Sequence, residues 1–424
     1  MSKGSSSGYD LIPQVNATLP RGHPGRAHAM ARTESLVATT GSQRLVCAVL
    51  CGAEAEWSGG ADPDAVAAFI DTAHYHGVLP LLGAEFHRRN EAANWPQEIL
   101  AACAAAARAQ AMFELAYRAA IGPVLEALGS AGAAPLLLKG AALAYSHYPS
   151  PALRPRADTD LLIPRDRQKE TGRALARLGY TKGTSVEGEL ISYQATWSRS
   201  DPFGATHHLD IHWRINNSQI LAKALDYDEL MARAAPLPAL GSNARALAPV
   251  HALLFACIHR AGHANAPYFV EGIAQTGGDR LIWLYDIHLL VARMSAEDLD
   301  LFTALAAAKH IKAICGDALR RTRECFATPI PAQVIDALNR PGPVEASARY
   351  LSGGRARQML GDFLALEYWS DRGGWIRELA FPSADYMRSK YPDSASGWLP
   401  VLYARRALTG VASLIFSRGA DHGR

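Results

Sequence analysis

Two aspartates stand two positions apart in the segment "RPRADTDLLIP", which runs from Arg154 to Pro164. On an extended strand, residues i and i+2 point to the same face, so Asp158 and Asp160 would project together. Carboxylates placed this closely repel each other unless they share a cation, so the pair forms half of a metal site. A structural alternative also fits, in which Asp158 caps a turn and Asp160 pairs with a flanking arginine.

A third carboxylate occurs in "THHLDIHWRI", whose alternation of polar and apolar residues predicts a half-buried strand. Asp210 lies at the middle of the polar face. The other polar residues on that face are His208, His212 and Arg214, and the opposite face carries Leu209, Ile211 and Trp213. A polar face with an acid at its centre suits a site strand better than a core strand, so Asp210 is a candidate third metal ligand.

A possible phosphate site precedes the acidic pair. The segment "APLLLKGAALAYSHY" predicts a short aliphatic strand, a turn at Lys139 and Gly140, and then a helix. The first N–H groups of a helix and its positive end favour a phosphate. Arg154 and Arg156 could also contact phosphate or an acceptor, since guanidinium fits phosphate well. Alternatively, they balance the clustered carboxylates.

These segments must be positioned by a small unit in which strands and helices interleave. Pro164 closes the "DTDLLIP" strand, and "RDRQKETGRALARLGY" predicts an amphipathic helix that ends at Gly179. Elsewhere the apolar spacing is helical, with boundaries indicated at Asp62 and Gly129. We therefore divide the chain into a flexible leader at 1–33, a helical region at 34–134, the interleaved unit at 135–235, a helical region at 236–335 and an irregular to helical region at 336–424.

Composition limits the classes of function. The chain has 424 residues, of which 49% are hydrophobic, so it can bury a sizeable core. Its 43 basic and 40 acidic residues give a net charge of +3, which argues against nucleic acid as a partner. The six cysteines include no CxxC motif, so we predict that they are reduced residues with a structural role. With no apolar signal core and no run of the ~20 residues needed for a membrane span, we expect a cytoplasmic protein.

The order of these elements resembles the nucleotidyltransferase superfamily with a DNA-polymerase-β-like palm. The chain looks most like the bacterial family called uncharacterised nucleotidyltransferases, over about residues 136–295. The similar segments are "LLLKGAALAYSHYPSPALRPRADTDLLIP", "ARLGY", "LDIHWRI", "LLFACIHRAGH" and "RLIWLYDIHLLV". This resemblance implies an α+β fold, in which a small polymerase-β-like palm of mixed sheet and helices is embedded between helical regions.

The resemblance also implies the chemistry of the site. In that superfamily, the DxD pair and the third acid hold two divalent ions, and the glycine turn positions the triphosphate. Asp158 and Asp160 would then bind both metals, and Asp210 would complete the catalytic one. Lys139 and Gly140 would lie at the phosphates. The Lys-Gly turn departs from the superfamily pattern of glycine followed by serine or a second glycine, and the lysine adds a positive charge.

Four histidines are candidates for contacts to the acceptor or to the metal-binding carboxylates: His208, His212, His259 and His263. The first two share a predicted strand face with Asp210, so either of them, or Asp210 itself, could accept the proton of the acceptor. The last two lie one helical turn apart in "HRAGH", where a structural place at a polar helix boundary is the alternative. Asp286 interrupts an apolar helix and is predicted to anchor a buried hydrogen bond.

Together, these predictions describe an enzyme that transfers a nucleoside monophosphate from an NTP to an acceptor, AMP from ATP being the expected case. Its expected cofactor is Mg²⁺ or Mn²⁺. Members that resemble this family occur with lasso peptides and other peptide natural products, so a peptide or a small molecule is the expected acceptor. One alternative is a toxin-type nucleotidyltransferase that acts on tRNA or a protein. Another is a non-catalytic nucleotide-binding scaffold, since a fold does not fix function.

Overall fold

The computed structural model describes residues 40–416, except for 61, 185–187, 202–204, 265–267, 271–272, 276–277 and 393–397. The predicted leader at 1–33 lies outside the described residues. Within this part of the chain, the strands form a seven-stranded mixed sheet and a two-stranded hairpin, and helices flank the sheet. The predicted α+β class, with a small mixed sheet between helical regions, is confirmed.

The strands are short and most lie between residues 136 and 246. They are β1 (Leu136–Leu137), β2 (Thr159–Leu162), β3 (Thr181–Lys182), β4 (Gln194–Ser200), β5 (Thr206–His212), β6 (Ala235–Pro236), β7 (Arg245–Ala246), β8 (Tyr268–Val270) and β9 (Ile273–Gln275). The large sheet has the order β3-β4-β5-β2-β1-β7-β6. Strand β2 runs parallel to β5 and antiparallel to β1, so the two predicted acidic strands are direct neighbours at the centre of the sheet.

Helices make up most of the rest. Those before and within the sheet region are α1 (Thr40–Leu50), α2 (Pro63–Tyr75), α3 (Leu79–Arg89), α4 (Gln97–Ser130), α5 (Lys139–Ser146), α6 (Gln168–Arg177) and α7 (Tyr227–Ala232). Those after it are α8 (Pro249–Ala264), α9 (Leu281–Val291), α10 (Ala296–Ala308), α11 (Lys312–Phe326), α12 (Ala332–Asn339), α13 (Ala346–Leu351), α14 (Arg355–Ala365), α15 (Trp369–Ala380), α16 (Ala384–Lys390) and α17 (Leu399–Phe416).

Local signals place several of these boundaries where the sequence predicts them. Asp62 caps α2 by accepting the N–H of Asp64 at 3.1 Å, and Pro63 follows it at the first helical position. Helix α6 ends just before Gly179, whose φ of 82° is costly for other residues. Strand β4 was not predicted, although "QATWSRS" alternates weakly. Its side chains are mostly half-buried, which blurs the pattern.

Among the described residues, one small hydrophobic cluster joins Ile191 to α16 and α17, and two larger clusters pack against the large sheet. The smaller of these two lies between one face of the sheet and helices α4 and α6, with Tyr117, Leu161 and Leu209 among its buried members. The larger combines α1 to α3 with α8 to α12, so helices that are far apart in sequence share one core. Leu136 and Leu162 join the sheet to this larger cluster. The central strands are therefore packed on both faces, which fixes their relative position.

The region at 336–424 contains short helices between its proline- and glycine-rich breaks. Helices α14 and α15 bury none of their residues fully, which explains why apolar periodicity is weak there. Polar contacts attach the region to the sheet unit. Glu378 accepts three backbone N–H groups at 189–191, and Asp362 accepts the N–H of Gln219 at 2.7 Å.

All six cysteines are free, in agreement with the predicted structural role. Among the described residues one helix, α4, is long and apolar enough to cross a membrane by length and composition. The same helix contributes Ile121, Val124 and Leu125 to the core beside the sheet. Length and composition alone are weak evidence, because core helices pass the same test.

His76 is a buried histidine that the fold requires in its neutral form. Its Nδ1 accepts the backbone N–H of Leu281 at 3.2 Å, and burial together with the charge of Arg280 lowers its pKa to about 3. An unfolded histidine has a pKa near 6.5, so the unfolded chain binds the extra proton first as the pH falls. We expect protonation of His76 in the unfolded chain to lower the free energy of unfolding by about 2 kcal/mol when the pH falls from 7 to 5.

Urea unfolding at pH 7 and pH 5 measures this effect. His76→Asn keeps an acceptor for Leu281 but does not titrate, so its loss of stability between the two pH values should be about 2 kcal/mol smaller than that of the wild type. An equal loss in both proteins would show that His76 is not the source of the acid sensitivity.

Candidate active site

The strand register aligns three polar side chains across the centre of the sheet. Asp160 on β2 lies opposite Asp210 on β5, and Asp210 lies opposite Thr196 on β4. Directly opposed side chains point to the same face, about 5 Å apart. The Thr196 hydroxyl donates to Asp210 Oδ1 at 2.8 Å and so orients that carboxylate. The two predicted acidic strands thus meet with their carboxylates side by side.

Two nitrogen groups meet at one oxygen of Asp160. Lys139 Nζ, from the first residue of α5, donates to Asp160 Oδ1 at 2.6 Å. His212 Nε2, at the end of β5, lies 2.9 Å from the same oxygen. Asp160 and His212 are both buried. One oxygen of this buried carboxylate therefore contacts both an ammonium group and an imidazole.

The donor set of this group suits a divalent cation. Asp160, Asp210 and His212 each offer a ligand atom, and these atoms all lie within 4.8 Å of one another. The two carboxylates are ligands that suit oxygen-seeking divalent cations, and the imidazole is a ligand that transition metals prefer. Asp158 is not in this group. It lies one residue before β2 and stays a predicted ligand at the edge of the site.

Burial and neighbouring charges shift the pKa values of the three aspartates in the site. Burial would raise the pKa of Asp160, but Lys139 and His212 hold that pKa well below its usual value. For Asp158, loss of hydration and then the charges of Asp160 and Asp210 raise the pKa to about 7. The pKa of Asp210 is also raised, first by burial and then by Asp160. The raised pKa values of Asp158 and Asp210 indicate that the clustered carboxylates repel one another, and a bound cation would relieve this repulsion.

Gly140 is held against Arg154. A Cβ at position 140 would lie 3.1 Å from Arg154 Cζ, so only glycine fits this approach without a shift. The guanidinium of Arg154 is bound by Asp286, with Nε donating to Oδ1 at 2.8 Å and Nη2 to Oδ2 at 2.7 Å. Tyr148 also donates to Asp286, at 2.7 Å. Asp286 thus anchors a buried hydrogen-bond network, as predicted.

Arg156 forms an ion pair with a residue outside the acidic group. Its Nη1 lies 2.6 Å from Glu114 Oε1, and its guanidinium stacks over the ring of Tyr117 at 4.1 Å. Both members of this ion pair have buried side chains. Neither Arg154 nor Arg156 forms an ion pair with Asp158 or Asp160 among the described contacts. The charge of Arg154 nevertheless counteracts part of the rise in the pKa of Asp158.

The two histidines of α8 lie next to the acidic group. His259 and His263 are half-buried, with ring centroids 4.5 Å apart, and both pack against Trp283. Burial lowers the pKa of His263 to about 4, so this ring is neutral at neutral pH. His259 also lines a pocket with Lys139, Arg154 and Asp286, so this side of the site is bounded by α5, α8 and α9.

His208 shares a strand face with Asp210 and is half-buried. The structure therefore brings together Asp160, Asp210, His212 and Lys139, with His208 along the same strand. Thr196 is a site residue that sequence reasoning missed, because β4 was not predicted. The register of β4 against β5, and not a motif, reveals its role.

Comparison with known proteins agrees with this geometry. No curated protein matches the chain. The family model described as uncharacterised nucleotidyltransferase matches residues 62–327, which is more than half of the chain and includes every strand and helix around the acidic group. The chain belongs to this nucleotidyltransferase family, and its general chemistry is the transfer of a nucleotidyl group from a nucleoside triphosphate.

Proposed function

We propose that the chain is a Mg²⁺-dependent enzyme that moves a nucleoside monophosphate, AMP, from ATP to a peptide or small-molecule acceptor. The observation that carries this proposal is the convergence of Asp160, Asp210 and His212 within 4.8 Å, next to Lys139 at the start of α5. Membership of the nucleotidyltransferase family supports the same class of reaction.

Asp160 and Asp210 would hold the catalytic metal, and Asp158 would share a second metal with Asp160 from the edge of the site. When bound, the two divalent ions lower the pKa of the attacking hydroxyl and neutralise the departing pyrophosphate. Thr196 would keep Asp210 oriented through its hydroxyl, which donates to Oδ1 at 2.8 Å. Mn²⁺ would serve in place of Mg²⁺, because both bind carboxylate oxygen.

The triphosphate would lie at the N-terminal end of α5. Lys139 is the first residue of that helix, and the buried Gly140 lets the Arg154 side chain approach the backbone closely. Free N–H groups at a helix start bind phosphate oxygens. The Lys139 ammonium would add a charge-assisted hydrogen bond to the phosphates.

In the reaction, the acceptor oxygen forms a bond to the α-phosphorus of the NTP. The bond from that phosphorus to the bridging oxygen breaks, and pyrophosphate leaves with the electron pair. Asp210 would take the proton of the acceptor hydroxyl, and His208 on the same strand face is a second candidate for this role.

A peptide of the lasso-peptide type or a small molecule is our proposed acceptor. The net charge of +3 gives little attraction for a long nucleic acid. His259 and His263 are half-buried beside the site and would contact the acceptor.

Labelled nucleotides test the proposal. The full chain is incubated with each of the four NTPs labelled at the α-phosphate, with Mg²⁺, Mn²⁺ or EDTA, and with panels of peptide, small-molecule, tRNA and protein acceptors. We expect metal-dependent release of pyrophosphate and transfer of the α-label. ATP labelled at the γ-phosphate is the matched control, and its label should appear only in pyrophosphate. Transfer of the γ-label to an acceptor, or activity unchanged by EDTA, would contradict the proposal.

A further inference from the structure

Lys139 contacts a carboxylate oxygen of the candidate metal site. Its Nζ donates to Asp160 Oδ1 at 2.6 Å, and His212 Nε2 approaches the same atom at 2.9 Å. A metal that uses this oxygen must therefore replace at least one of these contacts. Because the ammonium carries a full positive charge, it competes with a divalent cation directly.

The backbone of Lys139 suggests that its side chain is needed at this position. Lys139 has a φ of 50°, in the left-handed region where glycine is favoured. For a residue with a side chain, such a conformation costs on the order of 1–3 kcal/mol. Glycine would relieve this strain, so local conformation does not explain a lysine here.

The Lys139 side chain is partly exposed, whereas the neighbouring arginine is buried and held by two hydrogen bonds. The Lys139 side chain is 24% exposed, but the Asp160 side chain is only 5% exposed, so the lysine approaches from the open side. Its long flexible stem carries a compact ammonium with rotatable donors. Arg154, by contrast, is held by two hydrogen bonds to Asp286 and is buried. Lys139 is thus the cation that can leave the carboxylate.

We propose that Lys139 is a placeholder cation, which the divalent metal displaces from Asp160 and which then binds the phosphates of the incoming nucleotide. This inference rests on the proposed function and adds a coupling between its two ligands. The metal releases the lysine for the phosphates, and the phosphates keep the lysine away from the metal ligands. Metal and nucleotide therefore bind with positive cooperativity, since each favours the same position of one side chain.

Binding of Mn²⁺ to the nucleotide-free protein tests the exchange, with free Mn²⁺ measured by electron paramagnetic resonance. We expect Lys139→Met to bind Mn²⁺ at least about tenfold more tightly than the wild type, since a cation beside a carboxylate lowers its affinity for a proton by a factor of about 10 to 1000. The same variant should bind a nonhydrolysable ATP analogue about tenfold more weakly, because a charged hydrogen bond is lost. Opposite changes in the two affinities are the signature of displacement.

Controls separate this inference from the proposed function. Lys139→Gln is a second neutral variant that can still donate a hydrogen bond to Asp160, and thermal unfolding checks that both variants fold. Lys223→Met removes an exposed lysine that pairs with Glu367, and it should change neither affinity. Asp160→Asn should abolish Mn²⁺ binding.

The outcomes are distinguishable. If Asp160→Asn abolishes Mn²⁺ binding but both Lys139 variants bind Mn²⁺ as the wild type does, or more weakly, then Lys139 is not a placeholder and the proposed function stands. If wild type and Lys139 variants all fail to bind Mn²⁺ and no NTP is consumed, both proposals are wrong.

Discussion

Asp160→Asn should lower kcat for nucleotidyl transfer by about a thousandfold, the scale expected when one group that supports transition-state charge is removed. Asparagine keeps the size of the side chain but removes the charge that Lys139 and His212 contact at 2.6 and 2.9 Å. It also leaves the buried site with one carboxylate fewer for the metal. Transfer of the label from α-labelled ATP to the acceptor, with excess Mg²⁺, measures the change.

A matched control uses an exposed aspartate on the same chain. The side chain of Asp166 is 73% exposed and lies outside the acidic group, so Asp166→Asn should retain wild-type kcat. Asp210→Asn should behave like Asp160→Asn, because the two carboxylates face each other across β2 and β5. Thermal unfolding of each variant excludes loss of the fold. A fall in kcat of less than tenfold for both site variants would contradict the assignment of these residues.

Arg154→Met should lower the free energy of unfolding by about 3–5 kcal/mol, because it leaves the buried Asp286 charge without its cation. The two hydrogen bonds from Arg154 are 2.7 and 2.8 Å long and join a loop of the sheet unit to helix α9. Methionine keeps most of the volume of the side chain, so the change isolates the lost charge. Urea unfolding at pH 7, followed by circular dichroism, gives the value.

An exposed ion pair supplies the comparison. Arg165 lies 2.9 Å from Glu189, but the two side chains are 46% and 70% exposed. Water and salt screen such a pair, so Arg165→Met should cost only about 0–1 kcal/mol. Combining Arg154→Met with Asp286→Asn should recover part of the loss, since no buried charge remains unpaired. Equal losses for Arg154→Met and Arg165→Met would show that burial does not strengthen the first pair.

The sequence predicted the elements that carry the site because each has a strong local signal. The aliphatic run before Lys139, the DxD segment closed by Pro164 and the alternation around Asp210 lie on β1, β2 and β5, as expected. Periodicity depends only on neighbouring residues, so it can be read without a structure. The same patterns suggested the right order of elements and, through the family resemblance, the right class of enzyme.

Local patterns could not decide which partners the arginines have. Arg154 binds Asp286, 132 residues away, and Arg156 binds Glu114, 42 residues away. The sequence suggested two roles for these arginines, binding of phosphate and charge balance of the nearby carboxylates. Both roles involve groups close to the arginines in the sequence or in the predicted site. Long-range pairing depends on how α4 and α9 pack around the sheet, which the spacing of residues does not encode.

The sequence by itself determined which residue types could do the chemistry, since three aspartates and a lysine at a helix start suit a metal and a phosphate. Only the tertiary structure decided how they meet. The parallel register of β2 and β5 sets Asp160 beside Asp210, and the turn before α5 brings Lys139 onto the same carboxylate as His212. Register and packing arise from contacts between distant segments, so they fix the geometry that short-range patterns leave open.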